Sequence, residues 1–209
     1  MSAILSDVDI LREREMMNIV IEPFKRINLA NCSYDVTLGK YYYRSSVPTE
    51  FVYNPWSEEH IQEYWGQPKE AKILRKDKYG LKEGQSYIKL RPGERILGHT
   101  EEFIGGRNFI TSEMKTRSSL ARSCIMCCAC AGWGDIGYVN RWTMEITSVA
   151  SCPIVLPIGE RVAQIIFLRS SVPYKTYLGK YQTCSDVEFI MENWKPEDML
   201  PKLHLENRE

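Results

Sequence analysis

Apolar positions along this chain fall in short runs rich in β-branched and aromatic residues, and turn residues interrupt them at close, fairly regular spacing. That rhythm predicts a sandwich or barrel, because a strand needs only a few residues before the chain reverses. Strands are predicted at Ile19–Ile21, Tyr34–Leu38, Ser86–Leu90, Arg95–Phe103, Phe109–Thr111, Met126–Cys130, Thr143–Thr147, Ile154–Leu156 and Arg161–Leu168. Within RILGHTEEF, residues 95–103, apolar and polar groups alternate with the period of a strand that has two unlike faces. Helices are predicted at the periphery. Ser6 is placed to cap a helix over Asp7–Met17, with Asp7 and Asp9 near the positive end of its dipole. Ser57, followed by Glu58 and Glu59, starts a second helix that Gly66 ends. A third begins near Asp186 and stops before Pro196, with Phe189, Ile190 and Trp194 on neighbouring faces. The fragments RSS and LGKY recur without a fixed period, so they are not structural repeats.

With 209 residues and 44% hydrophobic content, the chain suffices for one substantial core. The 27 basic and 27 acidic residues cancel, leaving no broad positive field for nucleic acid or an anionic membrane, so an anionic ligand has to be met by a local cluster. The uncharged run Ile146–Ile158 is too short to span a bilayer and contains two prolines, and the N-terminus lacks a basic-then-apolar layout. Seven cysteines, an odd number, suit a reducing compartment better than a disulfide framework, and a cytoplasmic protein is expected.

Four of those cysteines lie within Cys124–Cys130, and with His99 and Glu101 upstream the chain contains H-x-E followed by C-x-x-C, the outline of a zinc-dependent nucleobase deaminase. Zinc ligands there converge from helix N-termini. Here His99 lies in an alternating segment and Ser123, not proline, precedes Cys124. The favoured reading is packed thiols acting as small hydrophobes, with no metal held by the protein.

The segment Lys115–Arg122 (KTRSSLAR) offers two guanidinium forks and two serine hydroxyls, donors that match phosphate oxygens, although an ordinary exposed basic turn has the same composition. Asp135 follows in a glycine-spaced loop. Ten residues later Glu145 stands in the apolar run Trp142–Ile146, either as a desolvated acid with a raised pKa, suited to shuttling protons, or as a strand residue sharing a wet face with Thr143 and Thr147.

Taken in order, RSSLAR, AGWGD-x-GY, TMEI, LPIGERVAQIIF, PY and GKYQ resemble the dCTP deaminases, relatives of the trimeric dUTPases. The opening segments ILSDVDI, IVIEPF, NCSYDVTLG and PGERILGHTEEF agree, so the resemblance runs to about Gln182. It implies a mainly β, distorted jelly-roll or dUTPase-like β-barrel with a few peripheral helices over residues 1–182. A lid spans about residues 172–182, and residues 183–209 form a C-terminal extension, expected to be helical and to pack on a neighbouring subunit.

The implied reaction is hydrolytic deamination of dCTP to dUTP and ammonia, without a metal at the base, supplying dUTP or dUMP for thymidylate synthesis. Glu145 would relay protons, Ser118 and the Ala131 carbonyl would hold the water, and Arg122 would stabilise charge. Arg117, Ser119, Tyr174 and Lys180 would meet the triphosphate, with Mg2+ on the phosphate oxygens. Asp135 would receive the 3'-hydroxyl, the backbone of Thr143 and Met144 would read the pyrimidine edge, and Gln182 would belong to the lid. The resemblance further implies a homotrimer, or a hexamer, with active sites between subunits. The alternatives are a bifunctional enzyme releasing dUMP and diphosphate, a dUTPase alone, a nucleotide-binding regulator without turnover, and a zinc-dependent cytidine deaminase. A dUTPase has no work for an acid beside the base, so Glu145 is the discriminating residue. The lid reads KYQTC, where KYQGQ is usual in the family, and Cys128 and Cys130 stand where histidine and threonine are common.

Overall fold

Burial alternates without a break from Asn140 to the end of the strand Val139–Ser148: Asn140, Trp142, Met144, Ile146 and Ser148 are buried, while Arg141, Thr143, Glu145 and Thr147 are partly exposed. A strand with one dry and one wet face needs a sheet to lie in and a second sheet to cover it. The computed structural model describes residues 3–45, 47–48 and 50–206 and provides both. Val139–Ser148 lies between Ile125–Met126 and Arg95–Gly106, with Tyr41–Arg44 and Lys69–Glu70 beyond, and Ile19–Glu22 pairs the far half of Arg95–Gly106. The facing sheet runs Trp133–Gly134, Ile110–Thr116, Arg161–Arg169, Ser33–Thr37 and Leu29–Ala30. A third, small sheet joins Ile154–Pro157, Ser86–Leu90 and Lys72–Ile73. All pairings between these strands are antiparallel. The fold is mainly β, as expected, but its sheets face each other across the core and do not close into a barrel.

That core interleaves Tyr34, Val36, Met114, Ile165 and Phe167 from one sheet with Ile96, Ile104, Met144 and Ile146 from the other. Burying side chains of this size contributes roughly 1.5–3 kcal/mol each. A polar tie crosses it. Glu102, fully buried, accepts the Thr37 backbone N–H and the Thr37 hydroxyl, each at 2.9 Å, so a strand of one sheet is hydrogen-bonded to a strand of the other.

All three predicted helices form. Ser6 accepts the Asp9 N–H in a capping box, but the helix stops at Glu15, two residues short of the expected end, because Met17 takes a positive φ of 60°. Ser57 caps Glu58–Trp65, and Gly66 ends it at φ 62°. Asp186 caps Val187–Asn193 through the Glu188 and Phe189 N–H groups.

Several predicted strands change. Phe109–Thr111 becomes Ile110–Thr116, Thr143–Thr147 lengthens to Val139–Ser148, Arg95–Phe103 lengthens to Arg95–Gly106, and of Met126–Cys130 only Met126 pairs, beside Ile125. The chain then turns, with the Ala131 N–H on the Cys128 carbonyl at 2.7 Å and Cys130 at φ 72°, so neither half of that segment can extend. The packed-thiol reading fits Cys127, whereas Cys130 is exposed; all seven cysteines are free.

The C-terminal extension packs on its own chain. Met199 joins Tyr43, Ile61, Trp65 and Leu97 in a second apolar cluster, and Trp194 lies against His99 and Arg141. Its apolar residues find cover beside the Glu58–Trp65 helix. Among the described residues no helix is long and apolar enough to cross a membrane.

Candidate active site

The wet face of Val139–Ser148 opens into a cleft of about 550 Å³ in which Thr143 and Glu145 meet Arg95 and Leu97 of the neighbouring strand. A local irregularity sets this up. The Thr100 hydroxyl donates to the Glu102 carbonyl and accepts the Trp142 N–H at 2.9 Å, and the ladder between the two strands shifts register between Arg141 and Thr143. Such a bulge re-aims the side chains beside it.

Ala131, Trp133 and Asp135 bring a second wall from the edge strand Trp133–Gly134 of the facing sheet and its flanks. Gly134 makes this close approach possible: a Cβ there would lie 2.5 Å from both Ser112 Oγ and the Trp142 ring. The Thr111 hydroxyl donates to the Gly134 carbonyl at 2.7 Å, and the chain then turns with Tyr138 N–H on the Asp135 carbonyl at 3.0 Å. The third wall is aromatic and apolar. Tyr53 and Trp65 come from around the second helix, and Met199, Pro201 and Leu203 come from the C-terminal extension.

Glu145 is the chemically distinct group in this cleft. Its Oε2 is buried without a hydrogen-bond partner. Burial pushes its carboxyl above the ordinary glutamate value, while its own backbone N–H and the charge of Arg95 pull the other way. Beside it, burial raises the Cys128 thiol, with the Glu145 charge adding to the effect.

Of the residues singled out from the sequence, one chain brings together Glu145, Ala131, Asp135 and Thr143. Met144 is fully buried in the core, so only its backbone faces the strand edge. Ser118, Ser119 and Arg122 are exposed on the short helix Ser118–Arg122 and do not line the cleft. Arg117 precedes that helix and is held by Asp35, at 3.1 Å, and by the Arg161 carbonyl. Burial raises the Asp35 carboxyl, while Arg117 and Arg161 lower it. Lys180 pairs with Glu206 at 2.6 Å, and Tyr174 is 98% exposed. Gln182 turns inward, and both ends of its amide are used by backbone groups.

His99 of the H-x-E and Cys127 of the C-x-x-C are committed elsewhere. His99 is fully buried; its Nδ1 donates to the Thr100 carbonyl at 2.8 Å and its Nε2 accepts the Tyr41 N–H at 3.2 Å. Burial lowers its pKa to about 4. Cys127 donates to the Val162 carbonyl, and burial pushes its thiol up to about 12. Among the described residues no group of three or more His, Cys, Asp or Glu gathers around a common point.

Sequence reasoning missed Arg95, Trp133, Tyr138, Trp142 and the walls from the second helix and the C-terminus. Arg95 is the exposed first residue of a strand that the sequence placed at Arg95–Phe103, so it was within reach. The distant walls leave no such trace.

Residues 4–170 match the family described as dCTP deaminase-like. A dCTP deaminase of Haloarcula marismortui is 30% identical over 172 residues, 81% of this chain and 82% of that protein. A "dCTP deaminase, dUMP-forming" of Tropheryma whipplei is 31% identical over 176 residues, 84% of this chain and 83% of that protein. The crystal structure of 2'-deoxycytidine 5'-triphosphate deaminase from Agrobacterium tumefaciens superposes with a TM-score of 0.57 at 18% identity, covering 81% of this chain. This chain spans about half the length of that one (49%), and the likeness is one of fold. By the extent of the matched residues, and by relatives at 30% identity or more over four fifths of their length, the chain belongs to the dCTP deaminase-like family.

Proposed function

We propose that this protein hydrolyses the 4-amino group of dCTP, giving dUTP and ammonia, with Glu145 as the proton carrier. The observation that carries this reading is a carboxyl group whose second oxygen is buried and unpartnered, in a cleft it shares with Ala131, Asp135 and Thr143. Water attacks C4 of the cytosine ring; Glu145 takes a proton from that water and hands it to N3. The resulting C4 hydroxyl gives up its proton through Glu145 to the departing amine, so C4–N breaks, C4=O forms and ammonia leaves. A carboxyl held above its ordinary range suits both directions of transfer. The Ala131 carbonyl is available to orient the water, and Asp135 to receive the sugar hydroxyl.

Ser118 and Arg122 lie on the surface of this chain, so they are proposed to complete the cleft of an adjacent copy in a homotrimer, where the Arg122 guanidinium would stabilise developing charge. Arg117, Ser119, Tyr174 and Lys180 would meet the triphosphate. Magnesium would arrive as part of the substrate, carried on the phosphate oxygens.

One feature favours a second reading in which dUMP and diphosphate are released. Asp135, with Trp133 and Tyr177, lines not only the Glu145 cleft but an adjoining recess that also contains Lys175. In this reading the carboxylate shared by the two recesses would act on a second water, at the phosphate. Incubating the purified protein with dCTP and magnesium and separating the products tests these readings: dUTP with ammonia supports deamination alone, dUMP with diphosphate supports both reactions, and unchanged dCTP contradicts both.

A further inference from the structure

The residue opposite Thr147 is Arg95, and the residue opposite Glu145 is Leu97. Side chains two apart on a strand share a face, so Arg95 and Leu97 stand over the same surface as Thr147 and Glu145, with Arg95 diagonal to Glu145. The Arg95 Nε donates to Thr147 Oγ1 at 3.0 Å, which fixes the guanidinium over that face. Among the described residues Arg95 makes no ion pair, and it is the one Lys, Arg or His lining the cleft.

We infer that Arg95 is a positioning residue for Glu145: anchored by Thr147, its fixed positive charge keeps the half-buried carboxyl able to give up its proton inside a largely apolar cleft. This rests on the deaminase reading of the site. Three influences meet at Glu145. Burial disfavours the carboxylate, while its own backbone N–H and then the charge of Arg95 favour it. Within one chain the remaining titratable groups around the cleft are the Cys128 thiol, the Asp135 carboxyl and the Tyr53, Tyr138, Tyr177 and Tyr181 hydroxyls, none of which brings a positive charge at neutral pH, and the Arg122 guanidinium proposed to arrive from an adjacent copy is the same in wild type and in the Arg95 variants. Without Arg95, a protonated Glu145 would predominate to higher pH, and in that form it cannot accept a proton from the attacking water.

The test compares wild type, Arg95→Gln and Arg95→Lys. Ammonia release from dCTP is measured from pH 5 to 9, and the Glu145 carboxyl is titrated by 13C NMR in the protein without nucleotide. Arg95→Gln should move the acidic limb of kcat/KM upward, so that the rate at pH 5.5, relative to that at pH 8.5, falls about threefold or more below the wild-type ratio. The NMR midpoint should move the same way, and Arg95→Lys should restore both. An equal loss of rate at every pH with an unmoved NMR midpoint, or a midpoint that moves down, would overturn the inference. Absence of ammonia release from wild type would overturn the deaminase reading instead, and the NMR titration would still judge Arg95.

Discussion

Gln182 and Val139 are joined across 43 residues of sequence by a 2.7 Å hydrogen bond in which the Val139 N–H donates to the Gln182 carbonyl oxygen. The same side chain donates to the Gly137 carbonyl at 2.7 Å, and nearby Asn140 donates to the Tyr181 carbonyl at 3.1 Å. The segment that follows the family match is thereby fastened to the loop between Asp135 and Val139.

Gln182→Ala leaves the Val139 N–H and Gly137 carbonyl without these partners, and Val139 is buried. Unfolding free energy should fall by about 1–3 kcal/mol, read as a lower denaturant midpoint at unchanged slope. An unmoved midpoint would show that the clamp carries no stability.

The raised Glu145 carboxyl has a consequence for stability. A folded-state pKa above the unfolded value means that the folded protein binds the proton more tightly, so the contribution to stability is fully present below the unfolded value and is lost as pH rises through the folded one. Glu145→Gln, neutral at every pH, should therefore melt higher than wild type at pH 8, and the gap should close near pH 4. Equal melting temperatures at both pH values would contradict the burial of this carboxylate.

Much of the fold was legible because local chemistry decided it. Ser6, Ser57 and Asp186 each cap the helix their type predicts. The alternation around Glu145 marked a two-faced strand, though not which cleft the wet face overlooks. The Met126–Cys130 strand failed because small and apolar residues suit a tight turn as well as a strand, and the positive φ of Cys130 leaves no trace in composition. Tyr53, Trp65 and Met199 were illegible as site walls for a different reason. They approach Glu145 through tertiary packing, between segments far apart in the chain. The family resemblance named Ser118 and Arg122 together with Glu145, and within one chain the structure leaves that pair on the surface.

If Ser118 and Arg122 complete a neighbour's cleft, two inactive variants should repair each other. Glu145→Gln and Arg122→Ala, each inactive alone, should regain activity when coexpressed and purified as mixed oligomers, because some interfaces then pair two intact surfaces. With random mixing about a quarter of interfaces do so. No recovery from oligomers verified as mixed would contradict a shared site.

The most direct test of the central claim is the turnover of dCTP by Glu145→Gln beside its affinity for the nucleotide. Ammonia release should fall by at least about 10²-fold while the Kd for dCTP stays near that of wild type, since the amide keeps the shape of the side chain and loses only its ability to carry a proton. Retained turnover, with ammonia still released at close to the wild-type rate, would remove Glu145 from the chemistry and contradict the account.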